Sequence, residues 1–231
     1  MSLIKTVVNK INLSDKKQLI AAFAAVMLCF IVAVKALSSV TTVIFTHQYT
    51  VCIDAGHGGS EQGASSKDTK RREQDDNLRL SLKIKSELEK MNVRVVMTRE
   101  DDSTVSLKER CVIANNKNAD LFVSIHRNSS SDGSGMEVWI KDSPSEEEEK
   151  LADDILTALV KASGLPRRGV KRGYRNKTGK NYYVNGNTKM PSCLVEVGFI
   201  TNEEDNRSFD ENIDAYAAAI AGAIYENLKK N

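Results

Sequence analysis

Thr50-Val51-Cys52-Ile53-Asp54, followed by Ala55-Gly56-His57-Gly58-Gly59, is the stretch that decides the fold. A short β-branched, apolar run that opens into a glycine-rich loop bearing a histidine reads as a strand ending at a site. Outward from it, comparable runs recur at Val93 to Thr98, Asp120 to His126, Gly135 to Ile140 and Ser192 to Val197. Helical patterns separate them, which predicts an α/β fold with a mainly parallel sheet flanked by helices in three layers. Leu80, Ile84, Leu88 and Met91 share a helical face. Leu78, Leu80, Leu82 and Ile84 also alternate as a strand would, and length and Lys/Glu content decide for helix. Ser143-Pro144-Ser145-Glu146 reads as a helix start with Ser143 as cap. Leu151, Ile155 and Leu159 then line one side of that helix, and Ile213, Ala217, Ile220, Ile224 and Leu228 mark a closing one. Residues 164 to 190, rich in Gly, Asn, Lys and Arg, are expected to form a long exposed loop with a short hairpin through Tyr182 to Val184.

The chain has 231 residues, enough for one full core and little more. Before residue 47 five lysines stand against Asp15 alone, a charge of +4; the overall +2 leaves −2 for the rest. A general nucleic-acid-binding surface is therefore not expected. Leu19 to Val34 is a run of sixteen uncharged residues after a basic flank. It lies between a signal-peptide core of about 7 to 15 and a spanning helix of about 20. Residues 1–46 are accordingly expected to be an export signal or a membrane anchor, with 47–231 as the domain it delivers outside the cytoplasm. Cys29, Cys52, Cys111 and Cys193 are scattered among apolar residues and suit neither a disulfide framework nor a cysteine metal site. From Ile155 to Val195 there is no acidic residue but nine Lys and Arg. That run reads either as a solvated loop or as a basic wall for an anionic polymer or partner protein.

Three histidines exist, and two of them, His57 and His126, end apolar strands. In open α/β sheets, sites form at those carboxyl ends. A catalytic zinc takes three protein ligands and leaves one position open. His47 lies too close to the export segment, so a carboxylate must complete such a site. Glu73, among the charges of residues 71 to 77, has the sequence context of an ordinary surface residue. Glu196 does not: it interrupts the apolar strand Cys193-Leu194-Val195-Glu196-Val197, where a carboxylate is costly unless paired or functional.

Four motifs in order, Asp54-Ala55-Gly56-His57-Gly58-Gly59, Glu73 before Asn77-Leu78, Ser124-Ile125-His126-Arg127-Asn128, and Leu194 through Asn202, resemble the zinc-dependent N-acetylmuramoyl-L-alanine amidases, amidase type 3. The resemblance spans nearly all of residues 50 to 231. It implies a six-stranded sheet, one Zn2+ held by His57, Glu73 and His126, catalysis by Glu196, and peptidoglycan as substrate. In size and N-terminal export segment the chain is similar to the spore-cortex type, which implies a role in forming muramic δ-lactam and hence in germination. Ala55 stands where the family has proline, which suggests a less rigid loop. Arg127 replaces a small residue; it and Asn128 are candidate substrate contacts, with outward packing the alternative for Arg127. Asp54 is a candidate acceptor orienting His57, or a turn residue. A zinc carboxypeptidase-like enzyme and a non-catalytic wall-binding protein are the rival readings. An accessory protein that stabilises the metal-loaded fold is compatible with this reading, and so is a dimer.

Overall fold

The computed structural model describes residues 16–44, 47–175 and 179–230. The chain divides into two compact units, 1–46 and 47–231. In the first, α1 (Lys16–Ile44) presents exposed apolar side chains such as Phe23, Leu28 and Phe30. Among the described residues no helix is long and apolar enough to cross a membrane.

The second unit runs β1 (Thr50–Ala55), α2 (Glu73–Lys90), β2 (Arg94–Met97), α3 (Leu107–Asn116), β3 (Leu121–Asn128), β4 (Met136–Ile140), α4 (Glu146–Ser163), β5 (Arg167–Arg172), α5 (Tyr183–Asn187), β6 (Ser192–Phe199) and α6 (Glu203–Leu228). Six strands form one sheet in the order β2-β1-β3-β6-β4-β5. All neighbours are parallel except β4 and β6. The expected α/β class with a mainly parallel sheet is thus the observed one.

Because side chains alternate across a strand, each strand feeds two cores. Val51, Ile53, Val123, Ile125, Val195 and Val197 face α2, α4 and α6, whose Leu80, Ile84, Ile155, Ile220 and Ile224 are fully buried in the same core. Cys52, Phe122, Trp139 and Leu194 face the other way, under the short helices α3 and α5. That second layer is thin, and it leaves the carboxyl ends of β1, β3 and β6 accessible on one face of the sheet.

The long loop expected over 164–190 is in fact part strand and part helix. β5 pairs parallel to β4, and the helix α5 occupies the place of the expected hairpin. The helix cap lies two residues later than expected: Ser145 accepts from Glu148 N while the Glu148 carboxylate accepts from Ser145 N, a full capping box. Cys52, Cys111 and Cys193 are buried free thiols, as packing residues would be. Burial pushes the Cys111 thiol up to about 11, which leaves it un-ionised at neutral pH.

Candidate metal centre and active site

His57 follows β1 in the left-handed region, at φ 59°. His126 lies on β3, level with Glu196 on the adjacent β6. Both point to the thin-layer face, since the alternation that sends Ile125 and Val195 into the larger core sends their successors the other way. Glu73 enters from the first residue of α2. Its Oε1 lies 2.9 Å from His126 Nδ1 and 3.3 Å from His57 Nε2, and the two imidazoles meet edge to face at 5.0 Å. One donor atom from each of the three residues falls within 4.8 Å of the others.

Two glycines make this approach possible. A Cβ at Gly56 would sit 2.3 Å from His126 Cε1, and one at Gly63, where φ is +69°, would sit 2.6 Å from Glu73 Oε2. Glu73 Oε2 accepts from Ala64 N and Oε1 from Arg127 N. Burial alone would raise the Glu73 pKa, but the hydrogen bonds from His126 and His57 outweigh it and hold the carboxyl well below its usual range. An ionised carboxylate facing two imidazoles is the donor set that Zn2+ takes in catalytic sites. The two edges to Glu73, 2.9 and 3.3 Å, are near the roughly 3.3 Å between ligand atoms around a tetrahedral ion with bonds of about 2.0 Å, and all three donor atoms lie within 4.8 Å of one another.

Glu196 is buried, and its Oε2 has no hydrogen-bond partner. Burial first, then the carboxylates of Glu73 and Glu137, push its pKa well above the ordinary range. An orphaned carboxyl oxygen at a cleft is the mark of a group kept free for a reacting partner. The cleft holds about 660 Å³, and its lining includes His57, Glu73, His126 and Glu196 together with Tyr174, Arg175, Lys180 and Tyr182.

Other expected site residues are placed differently. Asp54 does not touch the His57 ring. Its carboxylate accepts from Thr98 Oγ1, Ser124 Oγ and Arg110 Nη1, and Arg110 Nη2 donates to the His57 carbonyl. Asp54 thus orients His57 only through Arg110. Arg127 is neither a cleft cation nor an outward one: its guanidinium is fully buried, paired with Asp76, bonded to Asn206 Oδ1 and stacked 4.5 Å from the Phe209 ring. Burial lowers its pKa to about 10, still charged at neutral pH. Asn128 reaches the cleft wall, but its amide donates to Glu137 Oε1. The loop after β1, expected to be loosened by Ala55, is pinned instead: Arg99 and Arg110 both donate to the Ala55 carbonyl, and Arg99 also to Gly56 and Gln74. Neither arginine stands out in the sequence. The one available signal for Arg110 is a charge beside Cys111 on the buried side of α3.

Residues 51–230 match the family described as N-acetylmuramoyl-L-alanine amidase. A probable cell wall amidase, LytH of Staphylococcus epidermidis, is 34% identical over 185 residues, 78% of this chain and 57% of that protein. The chain therefore spans little more than half of that relative. The N-acetylmuramoyl-L-alanine amidase of Clostridium difficile 630 superposes with a TM-score of 0.73 at 32% identity, over 80% of this chain and all of that one. The CwlD amidase of Clostridioides difficile, solved in complex with the GerS lipoprotein, gives 0.71 at 30% identity over the same shares. With a family match over most of its length, and a site assembled on the fold those structures share, the chain belongs to the N-acetylmuramoyl-L-alanine amidase family.

Proposed function

We propose that the chain is a zinc-dependent hydrolase of the amide joining the lactyl carbonyl of N-acetylmuramic acid to L-alanine in peptidoglycan. His57, Glu73 and His126 hold the ion in this reading and Glu196 moves the proton. The observation that carries it is the meeting of two imidazoles and an ionised carboxylate in a cleft where a second, buried carboxylate has an unpartnered oxygen. Zinc at those donors supplies Lewis acidity, polarising an amide carbonyl and making water a nucleophile near neutral pH. Glu196 Oε2 takes the proton of the attacking water and returns it to the departing alanine nitrogen. Glu196 is held back from ionising by burial and by the Glu73 carboxylate, and a cation held by His57, Glu73 and His126 would offset that repulsion and favour the ionised Glu196 that the first of those steps needs. Arg99 and Arg110, through the carbonyls after β1, keep His57 in place.

The compartment follows from the substrate: the domain acts outside the cytoplasm, delivered by the segment before residue 47. The likeness to a CwlD amidase supports spore-cortex maturation as the setting, where removal of the stem peptide precedes muramic δ-lactam formation and so germination. Its complex with a lipoprotein supports an accessory protein for this chain as well.

The test is digestion of purified peptidoglycan by the zinc-loaded chain, with and without chelator, read by mass spectrometry. Expected products are intact stem peptides with a new L-alanine amino terminus, absent with chelator. Glu196→Gln should retain zinc and lose roughly 10²–10⁴-fold in rate. Stem fragments left on the sugar, or digestion indifferent to chelation, would overturn the proposal.

A further inference from the structure

Tyr174 and Arg175, and Lys180 to Tyr183, line the same cleft as the candidate metal ligands. Trp139, in the core on β4, meets Tyr182 edge to face at 5.4 Å; Tyr182 meets Tyr174 at 4.9 Å; and the Arg175 guanidinium lies over Tyr174, 5.6 Å from its centroid. The return limb is tied to the end of β4, where Asp142 N donates to Asn181 Oδ1 and Gly179 N to Asp142 Oδ2. An aromatic ladder rooted in the core thus carries an exposed cation to the cleft.

Four basic residues border this cleft, Arg110, Arg127, Arg175 and Lys180, the guanidinium of Arg127 being buried away from it. Arg110 is taken up by Asp54 and two carbonyls, and Arg127 by Asp76 and Asn206. The preceding basic run is also neutralised, since Arg167 pairs with Asp153, Arg168 and Lys171 with Glu137, and Arg172 with Glu149. Among the described residues, no carboxylate lies within ion-pair distance of Arg175 or Lys180. Two cations with no carboxylate within ion-pair distance favour an anionic ligand in the cleft, and a guanidinium lying over a tyrosine ring can pair with a carboxylate.

We propose that Arg175, assisted by Lys180, forms a subsite for a free carboxylate on the peptide side of the cleaved amide, so that the chain selects acidic stem peptides over amidated ones. The inference rests on the amidase reading for where the peptide lies. In a stem peptide the residue after L-alanine is joined through its side-chain carboxyl, and its α-carboxyl is free as D-isoglutamate or capped as D-isoglutamine. That group lies one residue, roughly 3.8 Å of chain, beyond the alanine. The two peptides differ only in this charge, so they read the subsite directly.

The experiment is calorimetric binding of N-acetylmuramoyl-L-alanyl-D-glutamate capped as its γ-methylamide, with the α-carboxyl free, and of its α-amide counterpart to the zinc-loaded Glu196→Gln chain, which binds without turnover. The acid should bind roughly ten-fold tighter at low salt, the margin shrinking as salt is added. Arg175→Gln should bring the ratio to near one, and Arg175→Lys should restore part of it. Equal affinities in the parent, binding of neither peptide, or a ratio unchanged in the Arg175→Gln, Lys180→Gln double variant would overturn the subsite. Incubating both peptides with the chain carrying Glu196 separates the two readings. Preference without cleavage sinks the amidase reading alone, whereas cleavage without preference sinks the subsite alone.

Discussion

At the scale of single residues, the site depends on absences as much as on ligands. Gly63 has φ +69° and would place a Cβ 2.6 Å from Glu73 Oε2 and 2.7 Å from His57 Cδ2. Glu73 has no room to yield, because it is buried and held by Ala64 N and His126. Gly63→Ala should therefore lower zinc affinity at least ten-fold by displacing two of the three donors, while far-ultraviolet circular dichroism stays that of the parent. Competition with a chromophoric chelator measures it; an unchanged constant would show that the donors tolerate the shift. Of the proposed ligands, the two histidines are legible from the sequence because histidines at strand ends carry a strong pattern, whereas Glu73 enters only through the family resemblance. The place of Arg127 differs from both expectations, although the period of two contains the answer: the residue after an inward-facing His126 must face the opposite core. There its guanidinium meets Asp76 and Phe209.

Among the elements, three strands and one helix are fastened by a single carboxylate. Asp54, on β1, accepts from Thr98 just beyond β2, from Ser124 on β3 and from Arg110 on α3. Burial opposes its ionisation, but Arg110, Ser124 and Thr98 together hold its pKa below the ordinary 3.8. A depressed folded-state value means that the contribution to stability is complete above pH 3.8 and fades as pH falls through the lower folded value. Asp54→Asn should cost about 3–5 kcal/mol at pH 7, because Arg110 is left buried without its partner. The gap between variant and parent should narrow below about pH 4. Urea unfolding at pH 7 and pH 3, with chelator in both so that metal release is excluded, checks this. A gap independent of pH would assign the loss to packing. The elements themselves are legible wherever apolar residues recur with a period, as in β1, β3, β6, α2 and α6. β5 is not, because Arg167–Arg172 is an edge strand with almost no apolar residue, its charges answered by acids of α4 and by Glu137. Five-residue α5 is too short to show a period.

For the molecule as a whole, the three proposed donors come from separate stretches of the chain: the loop after β1, the first turn of α2 and the end of β3. An ion shared among them would bind the folded unit in preference to the unfolded chain, so its occupancy would appear as stability. At free zinc one hundred times the dissociation constant, the linkage is about 2.7 kcal/mol. For a domain the size of residues 47–231, that corresponds to roughly 5–11 °C in melting temperature. His57→Ala and His126→Ala should melt at the same temperature with and without zinc. Glu196→Gln should keep the full rise, since its carboxyl is assigned to the proton and not to the ion. Scanning calorimetry over a zinc series gives all four curves. A rise that persists in both histidine variants would place the ion elsewhere on the chain, and a rise lost in Glu196→Gln would make that residue a ligand and leave the water without its base.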